Sequence, residues 1–139
     1  MKIYVEPGAF LPERAHETDA GIDLRAICDT VIPRGGCAVF MTGVHVELPK
    51  GTVGMLKSKS GLNLYNGVTT EGVIDEGYTG EIVVKAYNHG GRDVIIKRGD
   101  KISQLVVLPV LYADVEQVGS LEELSAGERG KNGFGSTGR

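Results

Sequence analysis

The segment EIVVKAYNHGGRDVIIKRGDKISQLVVLPVL, residues 81–111, contains three apolar runs separated by two polar turns. The runs at 81–88, 93–97 and 101–111 are rich in Val, Ile and Leu, and the intervening NHGGRD and RGD are typical of turns. Short strands at this spacing, without long helices between them, indicate a β-sandwich or β-barrel. Their succession along the chain also predicts that the three strands pair in series, as a meander.

A further apolar run, in GVHVELPKG at residues 43–51, alternates as a strand with one buried face should. Val44, Val46 and Leu48 fall on one side, polar residues fall on the other, and Pro-Lys-Gly supplies the closing turn. We therefore predict an all-β fold.

Helix signals occur in two short segments. SGLNLYN at 60–66 is predicted to form one or two turns with Ser60 as the N-cap. SLEEL at 120–124 has the spacing of a capping box, from Ser120 to Glu123. The fold should contain at most one or two short helical turns.

The composition limits the classes of function. A chain of 139 residues suffices for one domain, and its formal net charge of −3 argues against a broad basic face for nucleic acid. Cys28 and Cys37 have neither CxxC spacing nor a histidine pattern that would indicate zinc, and a reduced setting fits them better than a disulfide. No apolar run is long enough for a signal peptide or a membrane helix. We expect a soluble cytoplasmic protein (host cytoplasm if viral) without nucleic-acid or membrane partners.

The end of the chain differs from the rest in composition. ERGKNGFGSTGR at 128–139 combines glycines and one phenylalanine with basic and hydroxyl side chains. We interpret 1–125 as a β domain and 126–139 as a flexible, glycine-rich arm that orders when a ligand binds.

Five segments combine glycine with polar or charged residues where strands are expected to end. In order and spacing they resemble the five sequence motifs of the trimeric dUTPase family, the deoxyuridine triphosphate nucleotidohydrolases, from about residue 4 to the last residue. The five segments are AGIDLRA (20–26), LKSKSGL (56–62), EGVIDEGYTGEI (71–82), GDKISQL (99–105) and RGKNGFGSTG (129–138).

The resemblance implies a distorted jelly-roll-like β fold and a homotrimer with active sites at subunit interfaces. It implies Mg²⁺-dependent hydrolysis of dUTP to dUMP and pyrophosphate, which keeps uracil out of DNA and supplies dUMP for thymidylate synthesis. In the family pattern, Asp75 matches the general base that activates water for attack on the α-phosphorus. Tyr78 matches the aromatic that packs on the deoxyribose and excludes a 2′-hydroxyl. The stretch from Thr69 to Gly72 matches the hairpin whose backbone pairs with uracil.

The second and fourth motifs supply the expected phosphate contacts. Ser60 and Gly61 match a serine and a short helix start that present donors to the phosphate chain. Lys59 stands where the family most often has arginine, and Ser58 where it has proline, so the charge is kept but the bidentate fork is lost. Gln104 matches the amide that contacts phosphate and the nucleophilic water.

Asp23 matches the first-motif aspartate that holds Mg²⁺, through water rather than directly. One carboxylate is sufficient, because Mg²⁺ keeps several waters and takes substrate phosphates as ligands. A plainer alternative is that Asp23 only flanks a strand and pairs with Arg25.

The last motif matches an arm that closes over bound nucleotide. The resemblance implies that Phe134 stacks on uracil and that Arg129 reaches the γ-phosphate. Gly135 lets the backbone approach the phosphates, while Ser136 and Thr137 add hydroxyl donors. Closure of such a lid excludes water and strengthens the remaining electrostatic contacts.

Three other classes of function compete with this interpretation. A dCTP deaminase shares the GVID-like segment but needs a glutamate ten residues after the aspartate, and that position from Asp75 is Lys85. An inactive dUTPase-like trimer that binds nucleotide or another protein remains open. A jelly-roll structural or capsid protein would explain the strands but not the five motifs.

Overall fold

The structure is a computed structural model that describes residues 1–124, 127 and 130. Within these residues the chain forms nine strands, one α-helix and one 3-10 turn. The strands are β1 Lys2–Val5, β2 Gly21–Arg25, β3 Thr30–Ile32, β4 Cys37–Glu47, β5 Thr52–Ser58, β6 Val68–Ile74, β7 Glu81–Asn88, β8 Val94–Ile96 and β9 Lys101–Pro109; helix α1 is Ser60–Asn66 and the 3-10 turn is Leu121–Glu123.

The strands form two antiparallel sheets. The larger has seven strands in the order β1-β4-β7-β6-β5-β9-β2, and β3 pairs with β8 in the smaller. The prediction of an all-β fold with at most one or two short helical turns is confirmed in the described part of the chain. The proposed boundary between 1–125 and 126–139 falls outside the described residues and stays a prediction.

The predicted meander is wrong, although its three strands exist. β7 lies between β4 and β6, β9 lies between β5 and β2, and β8 leaves the large sheet to pair with β3. The buried side chain of Asn88 at the end of β7 helps to redirect the chain, because its Nδ2 donates to the carbonyls of Ile32 (3.0 Å) and Arg92 (2.9 Å). These bonds tie the end of β7 to the smaller sheet.

The core consists of apolar side chains from the strands. Val44, Val46 and Leu48 are buried, as the alternation predicted. The largest fully buried apolar side chains are Phe40, Leu24, Ile32, Ile82, Ile96, Ile102 and Leu105. The last strand of this core ends at Pro109.

Helix α1 has the predicted bounds but not the predicted N-cap. Lys59 is the N-cap residue, with an extended backbone, and its carbonyl accepts from Asn63 N at 2.9 Å. Ser60 is the first helical residue and makes no side-chain capping bond. The predicted reciprocal contact at Ser120 is present, since its N–H donates to Glu123 Oε1 at 2.8 Å.

Among the residues that the structure describes, no helix combines the length and the apolar character needed to cross a bilayer. The cytoplasmic location, or host cytoplasm for a viral protein, stays a prediction.

Candidate active site

A cleft opens where β6 and β7 separate. Residues 68–70 of β6 pair with β7, whereas residues 71–74 pair with β5 on the opposite edge. The β6–β7 ladder therefore stops after Thr70, and the two strands diverge toward their connecting hairpin. The cleft has a volume of about 300 Å³ and is lined by Val73, Ile74, Asp75, Tyr78, Glu81 and Val83. Within the described chain, the facing backbone edges of the two strands make no ladder bonds here.

Asp75 lies at the rim of this cleft, directly after β6, with its side chain exposed. Its backbone carbonyl accepts from Tyr78 N at 3.1 Å, which closes the hairpin turn. The carboxylate is therefore neither part of the dry core nor remote from the concave surface. A ligand in the cleft can reach it.

Tyr78 faces the same cleft and is held in place by its neighbours. Its hydroxyl donates to the carbonyl of Glu81 at 3.0 Å, and the side chain is partly exposed. Gly80 packs against the ring so closely that a Cβ atom there would overlap it. The ring is therefore positioned as one wall of the cleft.

Thr69 and Gly72 lie on either side of the point where the cleft begins. Gly72 belongs to the part of β6 that has left β7, and it pairs with Leu56 of β5. Thr69 pairs with Tyr87 of β7, and its Oγ1 lies 3.1 Å from His89 Nε2. Gly72 thus joins Asp75 and Tyr78 on the open side, whereas Thr69 lies in the paired part of β6.

Glu76 anchors the hairpin that carries Asp75. This role was not predicted from the sequence. Its Oε2 accepts from Gly51 N and from the Tyr112 hydroxyl, both at 2.7 Å. These two hydrogen bonds, the backbone one first, lower the pKa of Glu76 below its ordinary value. The hairpin is therefore tied to the turn before β5 and to the segment after β9.

A second group of predicted residues assembles around Asp23 on β2. The Asp23 side chain is only 3% exposed, and its Oδ1 lies 2.5 Å from Lys59 Nζ. Its Oδ2 lies 2.6 Å from Lys101 Nζ, so each carboxylate oxygen faces one ammonium group. Arg25 instead bonds Gly99 O and Glu13, so the alternative pairing of Asp23 with Arg25 is wrong.

Two lysines determine the charge state of Asp23. Burial is the largest single influence and raises its pKa, but the contacts and charges of Lys101 and Lys59 together outweigh burial, so the pKa lies below its ordinary value. Sequence reasoning anticipated Lys59 but not Lys101. Lys101 stands in the fourth motif, yet nothing in the spacing shows that it meets a residue 78 positions earlier.

Gln104 lies beside Asp23 and its lysine partners. It is opposite Asp23 in the β2–β9 register and opposite Lys57 in the β5–β9 register. Its Nε2 donates to the carbonyl of Ser58 at 3.0 Å. Gly21 leaves space for the amide, because a Cβ atom at that position would overlap Oε1.

Ser60 and Gly61 are exposed at the start of α1, directly after Lys59. The remaining predicted residues, Arg129, Phe134, Gly135, Ser136 and Thr137, lie outside the described residues. The structure therefore brings the predictions together in two groups. The cleft group contains Gly72, Asp75 and Tyr78, and the charged group contains Asp23, Lys59, Ser60, Gly61 and Gln104.

The charged group fits a metal ion that arrives with phosphate better than one held by protein alone. In residues 1–124 no cluster of three or more His, Cys, Asp or Glu side chains could hold a metal. Asp23 offers a single carboxylate, and both of its oxygens face ammonium groups. Such a donor set suits Mg²⁺ that keeps its own waters and takes its other ligands from a substrate.

His45 also contacts the hairpin that carries Asp75. Its Nδ1 lies 2.9 Å from the carbonyl of Thr79, and its Nε2 lies 3.2 Å from Glu6 Oε1. Both oxygens are acceptors, so the imidazolium form alone donates to both. The Thr79 carbonyl and then the Glu6 carboxylate raise the pKa of His45 above its ordinary value.

We expect replacement of His45 by Gln to flatten the pH dependence of stability near neutrality. Because the pKa of His45 is raised in the folded state, its stabilisation is complete below the unfolded value, about 6.5, and disappears as pH rises through the folded value. Thermal midpoints between about pH 5.5 and 8.5, a window on either side of that value, check this. Glu6→Gln, which keeps the imidazole, should flatten the profile less. A His45→Gln profile parallel to the wild type would contradict the expectation.

Comparison with known proteins identifies the family. A family profile described as dUTPase matches residues 8–138. The deoxyuridine 5'-triphosphate nucleotidohydrolase of Clostridium tetani is 44% identical over 134 residues, which cover 94% of this chain and 90% of that protein. The Candida albicans protein of the same name is 40% identical over 141 residues, covering 100% of this chain and 88% of that protein.

Solved structures of dUTPases have the same fold. The Staphylococcus bacteriophage 80alpha dUTPase with dUPNHPP matches with a TM-score of 0.89 and 30% identity, over 99% of this chain and 98% of that one. A mutant dUTPase from phage phi11 of S. aureus, described with a structural Mg(II) ion, matches with a TM-score of 0.78 and 29% identity over 87% of this chain and 97% of that one. The predicted dUTPase-like fold is thereby confirmed, and this chain belongs to the dUTPase family.

Proposed function

We propose that this protein is a dUTP diphosphatase, which hydrolyses dUTP to dUMP and pyrophosphate. The observation that carries the proposal is the cleft between β6 and β7, with Asp75 and Tyr78 at its rim. Membership of the dUTPase family supplies the substrate class. The activity would keep uracil out of DNA and provide dUMP for thymidylate synthesis.

The cleft suits a deoxyuridine. Unpaired backbone edges on β6 and β7 offer N–H donors and carbonyl acceptors at fixed spacing, which can pair with the polar edge of uracil beside Gly72. The Tyr78 ring packs on the deoxyribose and leaves no room for a 2′-hydroxyl. The contact of Thr69 stays a prediction, since this residue lies at the closed end of the cleft.

The charged group suits the triphosphate. Lys59 and Lys101 together carry one positive charge more than the Asp23 that they enclose, so the group attracts an anion. Lys101 can remain paired with one oxygen of Asp23 while Lys59 turns to contact a phosphate. Ser60 and Gly61 lie next to Lys59 at the start of α1. Asp23 would hold Mg²⁺ through water, and the ion when bound would neutralise phosphate charge.

Asp75 acts as the general base in this proposal. A carboxylate is basic enough to take a proton from water that is held in line with the α-phosphorus, because positioning supplies most of the rate in phosphoryl transfer. Gln104 contributes an acceptor to that water, since its Nε2 is already bonded to Ser58 O and Oε1 remains available. Arg129, Phe134, Gly135, Ser136 and Thr137 retain the roles that the family resemblance implies, as lid residues over the nucleotide.

Active sites between subunits are supported by the distance between the two groups, and the family resemblance implies that the assembly is a homotrimer. Asp75 follows Ile74, which pairs with Gly54 near the start of β5, whereas Lys59 follows the end of β5. Five residues of strand separate them, roughly 16 Å. One chain thus keeps Asp75 and Lys59 apart, and in this proposal a neighbouring copy brings the missing group to each site.

Exposed apolar surface also supports assembly. Val39, Met41, Val83 and Tyr87 lie together on the outer face of β4 and β7. The segment 110–118 forms neither helix nor strand and exposes Leu111 and Val115 almost completely. Apolar areas of this kind on a soluble domain are typical of subunit interfaces.

Pyrophosphate release from dUTP, dCTP, dTTP and UTP, each with and without Mg²⁺, tests the function. We expect dUTP to be preferred in kcat/KM by roughly a hundredfold or more over each competitor. The methyl group of dTTP and the 2′-hydroxyl of UTP would meet a filled site, and the base edge of dCTP has donors where the backbone is set to pair with uracil acceptors. Chelation of the metal should abolish most of the turnover. Ammonia release from dCTP would indicate a deaminase instead, and tight binding of dUTP without turnover would indicate a binding module.

A further inference from the structure

Three hydroxyl groups, two of them buried and one half-buried, connect the strands that carry the two halves of the site. They belong to Ser58 on β5, Thr70 on β6 and Ser103 on β9, and the last two residues are 1% and 0% exposed. Ser58 Oγ lies 2.9 Å from Thr70 N, and Thr70 Oγ1 lies 2.9 Å from Ser103 Oγ. Ser103 Oγ in turn bonds the carbonyl of Lys57 at 3.0 Å.

The chemistry of the partners determines the direction of each bond. The Lys57 carbonyl can only accept, so Ser103 donates its hydroxyl proton there and accepts the proton of Thr70. Ser58 Oγ accepts from Thr70 N and donates to Thr70 O at 3.3 Å. Each of the three hydroxyl protons is thus donated once, and the partners fix the direction of every hydrogen bond. A satisfied network that is largely buried in this way makes a local structure rigid.

The network lies at the root of the cleft. The β6–β7 ladder ends at Thr70, and the β6–β5 ladder begins one residue later. Ser58 Oγ therefore hydrogen-bonds the backbone N–H and carbonyl of Thr70, the residue at which β6 changes its partner strand. The carbonyl of Ser58 also accepts from Gln104, and Ser58 directly precedes Lys59.

We propose that Ser58, Thr70 and Ser103 form a positioning network that fixes where β6 leaves β7, and so sets the geometry of the Asp75 strand and of Gln104. The inference rests on the proposed dUTP hydrolysis. None of the three side chains is assigned contact with the substrate, although Thr70 lies in the stretch 69–72 whose backbone matches the uracil-pairing hairpin.

Thr70→Val tests the proposal because it removes one hydroxyl and keeps the shape of the side chain. We expect kcat for dUTP to fall about tenfold with KM changed less than about twofold, since small displacements of reacting groups are costly. Thr70→Ser, which restores the hydroxyl, should return kcat to near the wild-type value. Ser103→Ala should reproduce the loss, and the double variant should be no worse than either single one, because both break the same bond.

Thr42→Val is the matched control. Thr42 is also 1% exposed, and its hydroxyl donates to the Ile82 carbonyl at 2.6 Å on β7, the other wall of the cleft. β7 remains paired with β4 on both sides of that point, at Met41 and at His45. Thr42→Val should therefore lower the thermal midpoint about as much as Thr70→Val while keeping kcat.

Amide hydrogen exchange gives a readout that does not depend on activity. Exchange at residues 71–75 should accelerate in Thr70→Val and Ser103→Ala but not in Thr42→Val. If wild-type protein fails to hydrolyse dUTP, the proposed function fails, while this exchange pattern still tests the network. If the wild type is active but Thr70→Val and Ser103→Ala keep full kcat, or protection at 71–75 is unchanged, the positioning role is overturned.

Discussion

Asp75→Asn is expected to lower kcat for dUTP by about a thousandfold, the range expected for loss of a general base. Asparagine is almost isosteric, and Asp75 is exposed at the rim of the cleft, so folding and the cleft itself should be preserved. The Kd of a non-hydrolysable dUTP analogue, measured by titration calorimetry with Mg²⁺, should therefore change little. The defect should lie in chemistry rather than in binding.

Asp93→Asn is the matched control for this substitution. Asp93 is also an exposed carboxylate, and it accepts a hydrogen bond from Arg34 N at 2.8 Å that asparagine can keep by accepting through its amide oxygen. The Asp93→Asn variant should hydrolyse dUTP as fast as the wild type. Turnover of dUTP by Asp75→Asn at more than about a tenth of the wild-type rate would remove Asp75 from the role of base.

Deletion of residues 127–139 is expected to lower kcat/KM by at least about a hundredfold while the protein remains folded, because a lid contributes orientation and exclusion of water. The last core strand ends at Pro109, and residues 121–124 are exposed, so the deletion removes no side chain of the described core. Light scattering should still give the mass of three chains, and the thermal midpoint should be nearly unchanged.

Removal of Arg139 alone is the control for that deletion, because it leaves the matched motif at 129–138 intact. This variant should retain full activity. Dissociation of the shortened protein would mean that the last residues hold subunits together, and full activity of the shortened protein would mean that the site needs no lid.

The sequence predicted local structure better than the partners of each strand. β7 has the predicted bounds because EIVVKAYN alternates with a period of two. The pairing of β8 with β3 was not predictable, since it depends on contacts between residues far apart in the chain, such as the Asn88 amide with the Ile32 carbonyl. The prediction that Ser60 is the N-cap was wrong, because the helix already begins at Ser60 and Lys59 is the N-cap residue.

The candidate site divides in the same way. Gly72, Asp75 and Tyr78 were predictable as a group because one hairpin carries all three. The family resemblance alone placed Asp23 and Gln104 in one site. That they lie opposite each other in the β2–β9 register is seen only in the structure. Sequence reasoning missed the roles of Lys101 and Glu76 and the network of three hydroxyls, because hydrogen bonds and ion pairs between distant residues leave no periodic signal in a sequence.

Hydrolysis of dUTP in water enriched in ¹⁸O reveals which phosphorus atom the activated water attacks. Mass spectrometry of both products then locates the label. If Asp75 directs water to the α-phosphorus, ¹⁸O enters dUMP and the pyrophosphate remains unlabelled. Label in pyrophosphate instead would mean attack on the β-phosphorus, and would contradict the role assigned to Asp75 and to the cleft that holds it.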